Sequence, residues 1–345
     1  MTPNVNRFLF PRFDSEPEGQ AKYRMVAGGT ESVHSTEARH SKGMVNGLML
    51  LTTFFWASNI VAGKEALTGF NSLSLAQLRL AAAAILYVLL YVAWRGFPKL
   101  RLTKHQWVIV TIMALTGITL NQICFIGGLA RTSVTHAGLI QAIGPIMVLV
   151  LSASMRMEAL TSRKILGMTI SFLGVALLLI ERPAKGSGAN WLGDLILIAA
   201  CGFFAYYTIL MKKIVDRYDP LTLNALVFGL GAILLIPFCA ASVVKIQWNQ
   251  IPVHAWWGLF YMVLFGSFVS YLIFAFALEK LSASNVAAFA YLQPVMAALM
   301  GIWLLGERVS IAVMFGGALI LFGLYLAENA RGERKNIQHL ASGRI

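Results

Sequence analysis

The segment NVAAFAYLQPVMAALMGIWLLGER, residues 285–308, is apolar over a membrane-spanning length, has a proline near its middle and ends in glycine and two charged residues. An earlier segment, HAGLIQAIGPIMVLVLSASMRME, residues 136–158, has a similar layout. A shift of 149 positions places Pro145 on Pro294 and also aligns a glutamate at the end of each segment. This correspondence predicts that one structural unit is used twice in the chain.

The composition predicts an integral membrane protein. The chain has 345 residues, of which 58% are hydrophobic and 12% are charged, whereas a soluble domain is about half apolar and a quarter charged. The formal charge of +13 is spread over short loops rather than one patch, so we expect membrane lipid as a partner and no nucleic acid. The three cysteines lie in apolar runs without zinc-type spacing, so we expect core residues and neither a metal nor a cofactor.

Ten apolar segments follow the N-terminal region, each close to the roughly 20 residues that cross the hydrocarbon core as a helix. Their approximate spans are 44–63, 75–95, 106–126, 133–155, 164–181, 191–211, 220–243, 254–277, 282–305 and 309–327. The gaps at 278–281 and 306–308 are short and fit tight helical hairpins. Fusion of such neighbours into one longer helix is the alternative, which Gly306 and the adjacent charges oppose.

The distribution of basic residues predicts that both termini are cytoplasmic. Most of the 28 Lys and Arg residues fall in the two tails and the loops on the same side, which is the bias that cytoplasmic segments carry. Residues 1–43 are polar with scattered proline and no secretory signal, so we expect a disordered cytoplasmic tail. Residues 329–345 are the second cytoplasmic tail.

The repeat and the topology together predict a transporter. The two units, 44–181 and 191–328, each contain five helices, and because five is odd the second unit enters the membrane in the opposite orientation. Two similar halves of opposite orientation can open alternately to each side of the membrane, as inverted-repeat carriers do. The expected fold is therefore an all-α membrane protein of ten helices in two inverted five-helix repeats.

Several short motifs resemble the drug/metabolite transporter superfamily and, within it, the EamA-like family. They are Trp56-Ala57-Ser58-Asn59, Gln77-Leu78-Arg79, Gln141-Ala142-Ile143-Gly144-Pro145, Leu292-Gln293-Pro294-Val295 and Leu305-Gly306-Glu307-Arg308. The resemblance covers about residues 44–328, although the first half reads Met157-Glu158-Ala159 where the family has Gly-Glu-Arg. It implies a multi-pass secondary carrier of small metabolites, often an exporter, in a cytoplasmic (inner) membrane.

Pro145 and Pro294 come near the middle of their segments. A proline removes one helical hydrogen bond and clashes with the carbonyl four residues earlier, which here belongs to Gln141 or Ala290. Freed carbonyls at membrane depth are tolerated mainly against protein or a wet cavity. We therefore expect two kinks that flank the substrate site, with simple packing kinks as the alternative.

Polar and aromatic residues on helix faces are candidates to line a cavity for a small neutral or zwitterionic solute. The candidates are Trp56, Asn59, Gln122, Gln141, Tyr206, Tyr207, Tyr271, Asn285, Tyr291 and Gln293. For each of them the alternative is an ordinary hydrogen bond between helices.

The charged and titratable residues have open alternatives. His136 is a candidate to bind substrate or carry a proton, or else to hydrogen-bond a neighbour. Arg79 is a candidate to attract a carboxylate, or else to reach the membrane interface or pair within the bundle. Glu158 and Glu307 have a structural interpretation, as favourable charges at the start of the next helix. The remaining acidic residues, Asp194 among them, lie near segment ends, which argues against a buried carboxylate relay for protons.

Motifs of other functional classes are missing from the sequence. It contains no phosphate-binding P-loop, no His-Glu-x-x-His and no Gly-x-Ser-x-Gly, so we expect neither ATP-driven transport nor an enzyme. The preferred function is secondary transport by alternating access, most simply the export of amino acids or similar small solutes. An importer is the first alternative, and a channel or an intramembrane enzyme is a distant one. Glycine-rich helix faces allow either a monomer or a homodimer.

Overall fold

The helices of the protein follow the apolar segments. The computed structural model describes residues 31–96, 102–155, 161–180, 191–215, 217–307, 309–323 and 325–326. Regular structure among these residues is helical, and they contain no strand. The described residues from Met44 onward form one compact unit.

The first half contains five helical stretches, two of which are irregular. They are α1 (Glu31–Ala66), α2 (Ser72–Arg95), α3 (Lys104–Leu129), α4 in two pieces, α4a (Val134–Gln141) and α4b (Gly144–Ser154), and α5 (Ser162–Ile180). A π-helical segment, Ala114–Leu120, lies inside α3. The chain turns at residues 142–143 between α4a and α4b.

The second half has the same order. Its helices are α6 (Trp191–Ile214), α7 (Pro220–Val244), α8 (Val253–Lys280), α9 in two pieces, α9a (Ala283–Ala288) and α9b (Gln293–Leu305), and α10 (Ile311–Gly323). A π-helical segment, Met262–Val269, lies inside α8, and a 3₁₀ turn, Phe289–Leu292, joins α9a to α9b.

Seven of the described helices are long and apolar enough to cross a membrane. They are the part of α1 from Gly43, then α2, α3, the whole of α4 (Val134–Ser154), α6, α7 and α8. The pieces α9b and α10 are shorter apolar helices. The break at residues 289–292 divides α9 into pieces that are each too short to span alone.

The start of α1 differs from the prediction. The helix begins at Glu31, inside the segment expected to be a disordered tail. Residues 31–43 contain no proline, so nothing in the backbone stops the helix there. Residues 1–30 and 327–345 lie outside the described residues, and the two cytoplasmic tails remain predictions.

Corresponding serines start the two broken helices. Ser133 precedes α4a and accepts a hydrogen bond from the backbone N–H of His136, at 3.1 Å. Ser282 precedes α9a and accepts one from the N–H of Asn285, at 3.3 Å. Each serine satisfies a backbone donor that has no partner inside its helix, and the two lie 149 positions apart, as the sequence repeat predicts.

Each half also contains a π-helical segment at the corresponding place. In α3, the hydroxyl of Thr119 donates to the carbonyls of Ala114 and Gly231. In α8, the hydroxyl of Ser270 donates to the carbonyl of Phe265. These hydroxyls donate to backbone carbonyls where the π-helical segment departs from the regular α-helical hydrogen-bond pattern. Segments of this kind are frequent at functional sites.

The two prolines begin helices rather than kinking them. Pro145 and Pro294 both lie in the first turn, of α4b and α9b respectively, where the missing N–H costs no helical hydrogen bond. In each half the α-helix is interrupted by one tight turn just before the proline, and the backbone around this turn stays in the right-handed helical region. In α4 the N–H groups of Ala142 and Ile143 donate to the carbonyls three residues earlier, so the interruption is a local 3₁₀-like turn.

The glycine-rich faces of α5 and α10 pack against each other within one chain. A side chain at Gly174 would meet the carbonyl oxygen of Gly316, and one at Gly323 would meet that of Gly167. The hydroxyl of Ser171 donates to the carbonyl of Ile320 at 3.0 Å. Small residues therefore bring the two backbones together, as is common between helices in membranes.

Candidate functional site

A cavity lies between the two halves, next to the breaks in α4 and α9. It leaves about 90 Å³ for the centres of water-sized molecules, which is room for several waters or a small solute. Residues from both halves line it: Met49, Thr53, Trp56, Asn59, Arg79, Asn121, Gln122, Phe125, Gln141, Gly144, Pro145, Val148, Cys201, Phe204, Thr208, Tyr271, Phe274, Val286, Ala287, Ala290 and Gln293.

Arg79 is the charged residue of the cavity lining. Only 2% of the residue is exposed, and its Nε donates to the hydroxyl of Ser267 at 2.7 Å. Its Nη1 has no hydrogen-bond partner among the described residues. Among the described residues, no aspartate or glutamate lines the cavity. A buried cation with an unused donor is costly unless an anion or water completes it.

Two amide side chains face the same space with unused acceptors. The oxygens Asn59 Oδ1 and Gln122 Oε1 are buried and have no hydrogen-bond partner among the described residues. The neighbouring Asn121 is held in place, because its Nδ2 donates to the carbonyl of Ala200 at 2.9 Å. Buried polar atoms are normally satisfied by protein or water, so these oxygens are available to a donor group in the cavity.

Aromatic rings form another part of the cavity wall. The ring centroid of Trp56 lies 5.7 Å from that of Phe204 and 5.4 Å from that of Phe274, and the last two are 5.4 Å apart. Trp56 is oriented by its Nε1, which donates to the carbonyl of Gly266 at 3.3 Å. The wall therefore offers an apolar surface of fixed geometry.

The broken helices bring backbone groups to the cavity. Gly144 and Pro145 line it at the start of α4b, and Gln293 lines it at the start of α9b. The N-terminus of a helix carries partial positive charge and favours anions. Arg79 and these two helix starts are therefore the electropositive groups of the lining.

Eight of the sequence-predicted site residues meet at this cavity. They are Trp56, Asn59, Arg79, Gln122, Gln141, Tyr271, Gln293 and Pro145. The side chain of Gln141 is held at the break, since its Oε1 accepts from the thiol of Cys201 at 3.1 Å.

The other predicted residues lie elsewhere. Tyr206 packs half-buried against the core and Tyr207 is fully buried, because the α6 residues that line the cavity are Cys201, Phe204 and Thr208. Asn285 is exposed in α9a, and Pro294 is buried next to Gly138 of α4a. Tyr291 is in the 3₁₀ turn, and its side chain lies outside the described residues.

The sequence reasoning missed several lining residues, among them Thr53, Phe125, Cys201, Thr208 and Phe274. On α1, the side chain of Thr53 lines the cavity together with the predicted Trp56 and Asn59. Thr53 lies about one helical turn before Trp56, and Thr208 follows Tyr207 directly, so the polarity of these two threonines was the available signal.

His136 contacts a buried carboxylate instead of the cavity. Its Nδ1 lies 3.2 Å from Asp194 Oδ2, and the hydroxyl of Thr132 donates to Asp194 Oδ1 at 2.5 Å. His136 is 8% exposed and Asp194 is 4% exposed. Asp194 lies in the first turn of α6, near a segment end as the sequence predicts, and its contacts with Thr132 and His136 bury it there.

Glu307 caps a helix of the other repeat. Its carboxylate accepts from the N–H of Val134 at 2.6 Å, and from the N–H and the hydroxyl of Thr135 at 2.9 and 2.6 Å. The sequence predicts Glu307 as a structural charge at a helix start. Glu307 does lie at a helix start, but that helix is α4a and not α10. Its mate Glu158 lies outside the described residues.

Comparisons with known proteins give a consistent result. A model of the EamA-like transporter family matches residues 44–180 and 191–328. An uncharacterized transporter of Archaeoglobus fulgidus is 30% identical over 283 residues, which cover 81% of this chain and 95% of that protein. A probable terminal-alkyne amino-acid exporter of Streptantibioticus cattleyicolor is 25% identical over 81% of this chain and 91% of its own length.

A solved structure shares the fold. A crystal structure that covers 83% of this chain, and 96% of its own, superposes with a TM-score of 0.60 at 17% sequence identity. The two halves marked by the family model coincide with the two sets of helices, α1–α5 and α6–α10.

Proposed function

This chain belongs to the EamA-like transporter family, and we propose that it is a secondary carrier of the cytoplasmic membrane that exports amino acids or related small zwitterions. The two halves supply the alternating access, with the cavity as the site that each side of the membrane reaches in turn. Export is proposed from the relative that is named as a probable amino-acid exporter.

The observation that carries the substrate class is the unused donor of Arg79. A buried guanidinium without an acidic neighbour in the cavity lining is best completed by a carboxylate that arrives with the substrate. The half-helix N-termini at Gly144 and Gln293 favour the same charge. A cation or an uncharged hydrocarbon would leave Arg79 unsatisfied.

The remaining surfaces fit the other parts of an amino acid. Asn59 Oδ1 and Gln122 Oε1 are acceptors without partners, and an ammonium group supplies only donors. The wall formed by Trp56, Phe204 and Phe274 suits an apolar side chain. The cavity therefore combines one anion site, one cation site and one apolar surface within the space of a small molecule.

The test uses four probes that differ by one group at a time. They are L-leucine, L-propargylglycine, isoamylamine, which lacks the carboxylate of leucine, and 4-methylpentanoate, which lacks its amine. Proteoliposomes are loaded with each labelled probe, and the initial efflux rate is measured against concentration. We expect saturable efflux of the two amino acids and much slower efflux of the amine. Equal rates for leucine and isoamylamine would remove the role of the carboxylate.

The variant Arg79→Gln tests the residue itself. We expect a loss of about a hundredfold in leucine efflux, in keeping with the several kcal/mol of a buried charge pair. Arg217→Gln is the matched control, because Arg217 is exposed between α6 and α7, and it should keep the wild-type rate. Arg79→Lys keeps the charge and should recover part of the flux, provided that each variant elutes as a folded species in detergent.

Direction is tested in intact cells. Cells that express the wild-type protein are loaded with leucine as a dipeptide, and leucine is measured in the medium. Faster release than from cells with Arg79→Gln supports export, whereas faster uptake of external leucine with no change in release supports an importer.

A further inference from the structure

Two pairs of residues that correspond in the repeat are not equivalent in the structure. His136 of α4a corresponds to Asn285 of α9a, and Asp194 of α6 corresponds to Asn46 of α1. His136 and Asp194 are buried in mutual contact, whereas Asn285 and Asn46 are both exposed. We refer to the place with the buried titratable contact as the closed end, and to the place with the two exposed amides as the open end.

The closed end is a compact cluster of three side chains. Asp194 Oδ1 accepts from the hydroxyl of Thr132, and Asp194 Oδ2 faces His136 Nδ1. Thr132, His136 and Asp194 are 1%, 8% and 4% exposed. The contact joins the start of α6 to α4a, and α4a is in turn held by Glu307 at the end of α9b. Separation of His136 from Asp194 would thus open a seam between α6 and the α4a–α9b pair.

Few other charges face this cluster among the described residues. Glu307, next to α9b, is engaged by the backbone of Val134 and Thr135 and interacts electrostatically with Lys64 of α1. Arg131, after α3, is exposed and its Nη1 donates to the carbonyl of Gly127. In α6 the basic residues, Lys212 and Lys213, are at the opposite end of the helix. Of the charged groups in the described residues, the Asp194 carboxylate lies 3.2 Å from Nδ1 of His136.

A proton changes the strength of this contact. A neutral imidazole gives the Asp194 carboxylate a hydrogen bond in which only the acceptor is charged, whereas an imidazolium forms an ion pair with it and neutralises its buried charge. When the seam opens, the imidazolium loses that partner. Proton binding and closure of this end therefore favour each other, by the reciprocity that links any two coupled equilibria.

We propose that His136 and Asp194 form a proton-binding site that latches one end of the pathway, on the predicted outer side, so that transport slows as the cluster becomes protonated. The rate consequence rests on the proposed carrier function, but the proton-dependent closure does not. The latch explains why the repeat carries a histidine and an aspartate at one end and two asparagines at the other.

The first experiment measures leucine efflux from proteoliposomes with equal pH on both sides, varied over about pH 5 to 8, the range in which histidine changes charge. We expect the wild-type rate to fall by about fivefold toward low pH, as an ion pair replaces a hydrogen bond with one charged partner. His136→Asn copies the residue of the open end and should flatten the profile. His254→Asn is the matched control, because His254 is an exposed histidine at the start of α8 that hydrogen-bonds Thr68 and lies 4.0 Å from Glu65, and it should keep the wild-type profile.

The second experiment detects closure without any substrate. Cysteines for spin labels replace Leu192 at the start of α6 and Ile311 at the start of α10, which are both exposed, in a chain whose three native cysteines are replaced by alanine. We expect a longer label-to-label distance to gain population as pH rises, and we expect His136→Asn to remove this dependence.

The outcomes separate the two proposals. If the distance distribution does not change with pH, or changes equally in His136→Asn, the latch is wrong, whatever the transport result. If the distances respond as expected but no zwitterion is transported at any pH, the latch stands and the proposed substrate class fails. If leucine is transported at a rate independent of pH while the distances respond, the latch does not control transport, and that part of the proposal is overturned.

Discussion

The two halves share a backbone but not a chemistry. Gly117 and Gly266 occupy corresponding positions of the repeat, and each lies in a π-helical segment. Gly117 packs against Tyr207, and Gly266 packs against Asn59. Tyr207 and Asn59 also correspond to each other in the repeat. The backbone device is therefore the same in both halves. Only the contact at Gly266 faces the cavity, since Asn59 lines it and Tyr207 does not.

Other pairs of corresponding residues in the two halves also differ in polarity. Arg79 corresponds to Val227, which is fully buried, and Gln122 corresponds to Tyr271. The polar atoms without partners in the cavity thus come from the first half, whereas Tyr271 and Phe274 come from the second. The interrupted helices and the π-segments recur in both halves, whereas the lining atoms that lack hydrogen-bond partners among the described residues belong to the first half.

The largest expected effect is that of a substitution at Gly266, the glycine that contacts polar groups of the cavity lining. In Gly266→Ala, the new methyl group would overlap Asn59 Oδ1 and lie 3.1 Å from Arg79 Nη2. Both polar groups would be displaced, and leucine efflux should fall by about a hundredfold, since about 3 kcal/mol of polar contact is lost.

Gly117→Ala is the comparison for this variant. Its methyl group would lie 2.6 Å from Tyr207 Cβ, so overpacking should lower the melting temperature, while the preference for leucine over isoamylamine should remain. If Gly117→Ala and Gly266→Ala lose that preference equally, the division of chemistry between the halves is wrong.

A smaller effect is expected at the partners of these glycines. Asn59→Leu keeps a similar volume but removes the acceptor proposed for the ammonium group, and leucine efflux should fall by about tenfold or more. Efflux of 4-methylpentanoate, which has no ammonium group, should change little in the same variant.

The mate of Asn59 gives the opposite expectation. The hydroxyl of Tyr207 is buried without a hydrogen-bond partner among the described residues, so its removal in Tyr207→Phe leaves no partner unsatisfied. Melting temperature should stay equal or rise, and efflux should stay at the wild-type rate. A large loss of efflux in Tyr207→Phe would show that a polar group of the second half also contributes to binding the substrate.

The repeat explains how much the sequence predicted. Apolar length and the shift of 149 positions identified the helices and the two halves, because lipid forces a backbone to satisfy itself locally. The same local rules predicted that Pro145 and Pro294 disturb their helices. They did not predict the π-segments, since a π-segment depends on hydrogen bonds such as that from Thr119 to Gly231 of another helix.

The site was predicted less completely for a related reason. Trp56, Asn59 and Arg79 were found because a polar or aromatic residue in an apolar helix is unusual. Tyr206 and Tyr207 satisfied the same criterion but lie beside the cavity rather than in it, because a rotation of one residue turns a side chain by about 100° around the helix. The contact between His136 and Asp194 joins residues 58 positions apart, and no local pattern in the sequence indicates it.

The smallest expected effect concerns Glu158 and Glu307, which occupy corresponding positions near the ends of the two repeated segments. Glu307 accepts three hydrogen bonds at the start of α4a, and Glu307→Gln keeps the shape but removes the charge that favours a helix N-terminus. We expect a loss of about 1 kcal/mol in the free energy of unfolding, measured as a lower melting temperature in detergent. Glu279→Gln is the control, because Glu279 is an acidic residue that pairs with its neighbour Lys280 outside any such cap.

Glu158→Gln extends this test to the other half. The repeat predicts that Glu158 caps α9a as Glu307 caps α4a, and in that case the two variants should lower the melting temperature by similar amounts. If only Glu307→Gln lowers the melting temperature, then only the end that contains His136 and Asp194 has a capping glutamate. The half-helix α9a would then be held more weakly than α4a, as expected if the end that contains Asn285 is the one that is open in this structure.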